Sequence, residues 1–421
     1  MSFQQGLSGI NAAAKNLEII SNNIANAATY GAKSSRAEFA DVYATAMNGA
    51  GSNSIGIGTN LVAVAQQFTQ GNITTTENPM DLAINGAGFF QVSDGANPTQ
   101  YTRNGQFKID REGFIVNNQK LMLMGYPADS QGAIVPGAAA PIQLPTAGIE
   151  PRATDEISIE MNLDARAAVT LPTAGDRIDF DDPTTYNNAT SVTVYDDKGQ
   201  DVALTYYFQK TATDTWDVYV AANGTPVNVD GSGVPLASTT IQFPSNGGTP
   251  LAPATSVAID IPATLRPGGG ETVPIAGIQL DVSGATQYGA SFGVTNMTQT
   301  GYAPGQLSGI TIEGNGVITA RYSNGQSKPA GQLELANFRN PQGLQPMGGN
   351  AWSATYGSGD PVVGAAGDGN FGVLQAGALE ESNVDMTAEL VSMITVQRVY
   401  QANAQSIKTT DAVLQTIVNL R

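Results

Sequence analysis

The residues best suited to chemistry in this chain are carboxylates. Asp181-Asp182, Asp196-Asp197 and Glu380-Glu381 are adjacent pairs, and Gly367-Asp368-Gly369-Asn370 is an oxygen-rich turn. Paired carboxylates can divide acid and base work, and clustered ones can hold calcium. None of these stretches matches the Asp-x-Asp-x-Asp-Gly loop with its distal Glu, and an Asp in a turn ordinarily caps its own backbone. Glu380-Glu381 lies just ahead of a helical pattern, where carboxylates complement the helix dipole. Gly86-Ala87-Gly88 and Gly268-Gly269-Gly270 lack the following Lys-Ser/Thr and the amphipathic helix that a phosphate cradle needs. Asn85-Gly86 and Asn104-Gly105 are hairpin-turn dipeptides. With no histidine and no cysteine, the commonest proton shuttle and the thiol nucleophile are both missing. The expectation is a non-enzyme with no catalytic residues, no cofactor and no metal.

The elements that would carry such residues are distributed unevenly. The 421 residues are enough for two or three domains. Charged residues are 13% of the chain against a typical ~25%, and glycine reaches 48, as in turn-dense β domains. Net charge is −17, and residues 145–285 hold eighteen acidic against six basic residues. Such a surface repels nucleic acid and anionic lipid, so neither is an expected partner. No apolar run approaches the ~18 residues of a membrane span, so no membrane insertion is expected. The N-terminus carries neither the basic nor the apolar region of a Sec-type signal.

Both ends have helical periodicity. Phe3, Leu7, Ile10, Ala14, Leu17, Ser21 and Ile24 repeat as a heptad stripe. Met386, Leu390, Met393, Gln397, Tyr400, Ala404, Ile407, Asp411, Leu414 and Val418 form a second, interrupted by two polar positions. Up to Gly31 the remaining face carries only Lys15 and Glu18 amid Asn, Gln, Ser and Ala. Neutral amides suit burial among other helices better than a solvated surface. The fold class expected is mainly β, with nested, discontinuous central domains and terminal α-helices pairing as a coiled-coil-like assembly domain. Its divisions are 1–30 with 376–421 as the helical domain and 31–70, including Asn48-Gly49-Ala50-Gly51-Ser52-Asn53, as an extended connector. Residues 71–146 with 291–375 form a discontinuous β domain, and 147–290 an inserted acidic outer β domain. Within the insert, 191–195 and 202–208 read as one hairpin across the turn 196–199, with 215–220 as a third strand.

Ser21-Asn22-Asn23-Ile24-Ala25-Asn26-Ala27, directly after a heptad helix, resembles the N-terminal motif of the flagellar axial family of rod, hook and hook–filament junction proteins. The segment from Glu380-Glu381-Ser382-Asn383 through Gln397-Arg398-Val399-Tyr400 to Asn419-Leu420-Arg421 is similar to that family's C-terminal helix. Asn78-Pro79-Met80-Asp81-Leu82-Ala83-Ile84-Asn85-Gly86 and Tyr101-Thr102-Arg103-Asn104-Gly105 look like segments common to its rod and hook members. One departure is Ala32 after Gly31, where the family pattern carries an aromatic; here Tyr30 precedes the glycine. Length and the large β insertion resemble the hook members.

The resemblance implies an extracellular structural subunit of the flagellum, above the basal body, exported by the type III apparatus without a cleavable signal peptide. It would polymerise with itself into a flexible tube that transmits motor torque. Its other partners would be the distal rod protein, the hook cap and the hook–filament junction proteins. Asn22, Asn23 and Asn26 would join the two stripes in the assembly interface. A distal rod or junction protein is the nearest alternative. Another class is a secreted carbohydrate-active enzyme with two carboxylates ~5–9 Å apart in a cleft.

Overall fold

The computed structural model describes residues 3–42, 56, 58–129, 131–170, 178–266 and 269–419, with backbone alone for 417–419. The Asn48–Asn53 stretch, Gly268, the Val418 side chain, Leu420 and Arg421, all singled out above, lie outside the described residues.

The protein is mainly β, with one long helix at each end: α1 (Phe3–Ala25) and α2 (Met386–Asn419). Helix α1 contains no proline and stops where Asn26 donates to the Asn22 and Asn23 carbonyls, ahead of Gly31 at φ +71°. Helix α2 starts behind Asp385, whose Oδ1 accepts from the amides of Thr387 (2.9 Å) and Ala388 (3.1 Å). That carboxylate satisfies two of the donors left open at a helix start.

The helices pack antiparallel. Gly6 faces Ile407, Gly9 faces Asn403, and the Asn23 amide reaches Glu389 Oε1 at 2.9 Å. A methyl group at Gly6 would come within 2.8 Å of the Ile407 side chain, so glycine sets the closeness of this approach. The most buried positions of α1 are Gly6, Ala13, Ile20 and Asn23. Three of them stand one residue before the expected stripe positions Leu7, Ala14 and Ser21. Small side chains let the backbones meet, and the bulkier stripe is turned partly outward.

Residues 31–70 are more than the extended connector expected from sequence. Strands β1 (Ser35–Val42) and β2 (Gly58–Gln66) pair antiparallel from Ser35↔Gln66 to Val42↔Gly58, with a bulge at Glu38/Phe39. The hairpin lies along α1. The Thr59 amide donates to Ser8 Oγ at 2.8 Å, and Gln5 Nε2 donates to the Gly56 carbonyl at 2.7 Å.

The chain divides into two compact units, residues 1–146 with 309–321 and 327–421, and residues 147–308 with 322–326. The first holds the helices, the hairpin and a large sheet over a core that includes Leu82, Ile84, Phe90, Phe107, Leu123 and Leu333. A smaller cluster beside it packs Phe68, Phe89, Tyr101, Phe338 and Trp352 edge to face.

The second unit is a sandwich. A five-stranded sheet, with Asn188–Tyr195 at its edge followed by Asp201–Ala212 and Thr215–Ala222, shares one core with a four-stranded sheet. Val202, Leu204, Tyr206 and Phe208 point into that core while Ala203, Thr205 and Tyr207 do not, the period-two pattern of a half-buried strand. The turn at 196–199 is closed by Asp196, whose Oδ1 accepts from the amides of Lys198 (2.9 Å) and Gln200 (2.8 Å). This unit continues past the compositional shift near 290 because Gly293–Gln299 is the edge strand beside Glu156–Asn162.

Candidate assembly site

The sequence-selected helix positions separate into buried, half-buried and exposed groups. Asn23 is buried, and its side chain is occupied within the chain. Its Nδ2 donates to the Ser35 carbonyl (2.8 Å) and Glu389 Oε1, and its Oδ1 accepts from the Ser35 amide (2.8 Å). It therefore fixes α1 to β1 and α2 instead of offering a surface. Asn26 is half-buried and donates back to the Asn22 carbonyl at 3.0 Å, while Asn22 is exposed. Ile10, Leu17, Ile24, Met393 and Ile407 are half-buried. Phe3, Leu7, Met386, Leu390, Tyr400 and Leu414 are exposed.

More apolar surface accompanies them than the stripes foretold. Val391 is 61% exposed, Ile394 52% and Val413 58%, and on the hairpin Val62 is 67% exposed. Val399, Phe39 and Val64 are exposed as well. A single apolar residue on a surface needs no explanation, whereas several on one helix ask what covers them. Valines between heptad positions were the available signal. They fall outside a narrow seam and widen the apolar stripe of the helix.

A cluster that sequence reasoning missed sits where both helices join the β body. Glu380 Oε1 accepts from Lys33 Nζ at 2.6 Å and from the Gly71 amide at 2.9 Å, and Oε2 accepts from Arg103 Nη1 at 3.1 Å. Lys33 also donates to the Thr69 carbonyl (2.7 Å), and Arg103 Nη2 to the Gly86 carbonyl (2.9 Å). The Arg103 guanidinium lies 5.3 Å from the centre of the Phe89 ring. Burial pushes both cations below their usual pKa, and the Glu380 charge opposes that shift. Glu380 thus does not serve the α2 dipole as expected. It ends the strand Ala378–Glu380, and Asp385 takes the cap. Its one sequence-level signal is that Lys33 and Arg103 each stand two residues from a glycine, Gly31 and Gly105.

Asn383 extends the same junction. Its Oδ1 accepts from the Ser34 amide at 2.7 Å, and its Nδ2 donates to the Gln67 carbonyl (2.8 Å) and to Thr69 Oγ1 (2.7 Å). Among the described residues, no group of three or more acidic or metal-binding side chains is placed to hold a metal ion. No described helix is long and apolar enough to cross a membrane.

Comparison with known proteins adds an independent line. Residues 3–33 match the flagella basal body rod protein family, and 83–197 match the flagellar hook protein FlgE/F/G D1 domain. Residues 162–302 match the flagellar basal body protein FlaE D2 domain, and 375–420 the flagellar basal body rod FlgEFG protein C-terminal family. The flagellar hook protein FlgE of Salmonella typhimurium is 40% identical over 434 aligned positions, with both chains covered in full. That of Escherichia coli is 39% identical, again over the whole of both chains. The Rhizobium meliloti hook protein is 33% identical over all of this chain and 98% of its own length. In fold, the chain is similar to the crystal structure of Helicobacter pylori flagellar hook protein FlgE2, with a TM-score of 0.55 and 15% identity. That match covers 73% of this chain and 100% of the other.

Proposed function

The chain belongs to the flagellar hook protein FlgE family, and from that premise we propose that its copies polymerise through α1, α2 and the β1–β2 hairpin into a flexible tube. It is a structural subunit of the flagellar hook. The tube links the rod to the filament and transmits motor torque, with the distal rod protein, the hook cap and the junction proteins as neighbours. Subunits leave the cell through the type III apparatus with the N-terminus uncleaved, and they act in the extracellular hook without enzymatic turnover.

The observation that carries this reading is α2 itself. Over 34 residues it has four charged side chains, Glu389, Arg398, Lys408 and Asp411. Val391, Ile394, Val413 and Leu414 are all more than half exposed. Such a helix gains most of its stability from tertiary or intermolecular packing. The Asn22 and Asn26 amides and the stripe residues Phe3, Leu7, Leu390, Tyr400 and Leu414 complete the proposed interface.

Electron microscopy of hooks from cells in which this chain replaces the resident subunit tests the reading. Tubes built from the chain are the expected result. Full secretion of a folded chain that never polymerises would contradict it.

A further inference from the structure

The ion cluster at the root of the helices is not needed to explain polymerisation, yet it places three charges in the interior of a chain poor in charge. The side chains of Lys33 and Glu380 are fully buried and that of Arg103 is 5% exposed. Burying ions carries a desolvation penalty, and apolar replacements of similar volume are often as stable or more so. What a carboxylate adds is direction. Its two oxygens hold donors from separate segments at fixed angles, whereas an apolar plug lets them slide.

Four segments meet on Glu380. The exit from α1 arrives as Lys33, the exit from the hairpin as the Gly71 amide, and the 101–105 turn as Arg103. The approach to α2 carries Glu380 itself, and its main-chain carbonyl accepts from the Gly31 amide at 2.8 Å. We propose that Glu380 is a positioning residue for assembly: by holding Lys33 and Arg103 together it fixes the direction in which α1 and α2 leave the β body, and so sets the twist and curvature of the tube. This rests on the polymer reading above.

Lever length makes the effect large. At 1.5 Å per residue α2 is ~50 Å long, so a tilt of about 5° at its root moves the far end by ~4 Å. That approaches one helical turn, enough to change which side chains of a neighbouring copy are met. Asn383 and Asn23 brace the same junction on either side, so a change at Glu380 is passed to both helices together.

The test compares tubes of wild-type chain with those of Lys33→Met and Glu380→Gln. Lys33→Met leaves Glu380 paired with Arg103, and Glu380→Gln keeps the shape but removes the charge and turns one of the two acceptor oxygens into an NH2 donor. Helical reconstruction reads twist and curvature, and hydrogen exchange reads the Gly31 and Gly71 amides in the monomer. Both variants are expected to form tubes with shifted twist and curvature and faster exchange at those amides, and Lys33→Arg to return both readings toward wild type. Variant tubes with wild-type geometry overturn the proposal. So do folded variants that never assemble, or chains that do not fold, because the cluster would then serve association or folding and not geometry. If the wild-type chain itself forms no tube, the polymer reading fails first.

Discussion

The sandwich of residues 147–308 and the helical ends differ in where their apolar side chains go. In the sandwich, Tyr206, Phe208, Trp216 and Val218 are closed off from solvent in a core shared by two sheets. On α2, Val391, Ile394 and Leu414 stand in the open. The sandwich satisfies its own hydrophobic pattern, because alternation along each strand supplies one inner and one outer face. The helices satisfy only part of theirs: α1 covers one side of α2 and the hairpin lies along α1. The sandwich is therefore complete as a single chain, and under the proposed assembly the helices reach their full burial only beside other copies.

Substitutions on the two sides should separate cleanly. The largest effect is expected from Val391→Asp combined with Ile394→Asp, which places charge where copies meet. Burying an unpaired carboxylate is prohibitive, so sedimentation should find no polymer, with the thermal transition of the sandwich unmoved. Trp216→Ala is the mirror experiment. Removing a fully buried ring costs about 3–5 kcal/mol and should lower the sandwich transition by ~10 °C in calorimetry. Polymerisation at a temperature below that transition should persist, and its loss would mean the two regions are not separate. Asp385→Ala gives the smallest change. Losing the α2 cap costs about 1 kcal/mol, seen as faster amide exchange at Thr387 and Ala388 with tubes still formed.

The sequence made the sandwich legible because its strands follow the rule that reveals them: alternation at 202–208, a glycine turn at 196–199 and a third strand near 215. The terminal helices were legible from their periodicity, but their orientation was not. A heptad reading assigns the seam to large apolar residues, whereas Gly6 and Gly9 make the closer approach, and nothing in a hydrophobic pattern rewards a glycine. The β1–β2 pair was hidden because Arg36, Glu38, Asp41 and Asn60 interrupt its apolar alternation. Glu380 was misread because its partners, Lys33 and Arg103, are hundreds of residues away. Local rules assign such a carboxylate to the nearest helix end, and only the fold brings the two cations to it.

Because the chain has no cysteine, a single introduced thiol reports on one position. Thiol labelling of Val391→Cys, with Val229→Cys in the sandwich as reference, compared between monomer and tube, tests the central claim most directly. Both positions are exposed in the single chain. The expected result is labelling at both in the monomer, and strong protection at 391 but not at 229 once tubes form. Equal labelling at 391 before and after assembly would contradict the claim that α2 completes its burial against neighbouring copies.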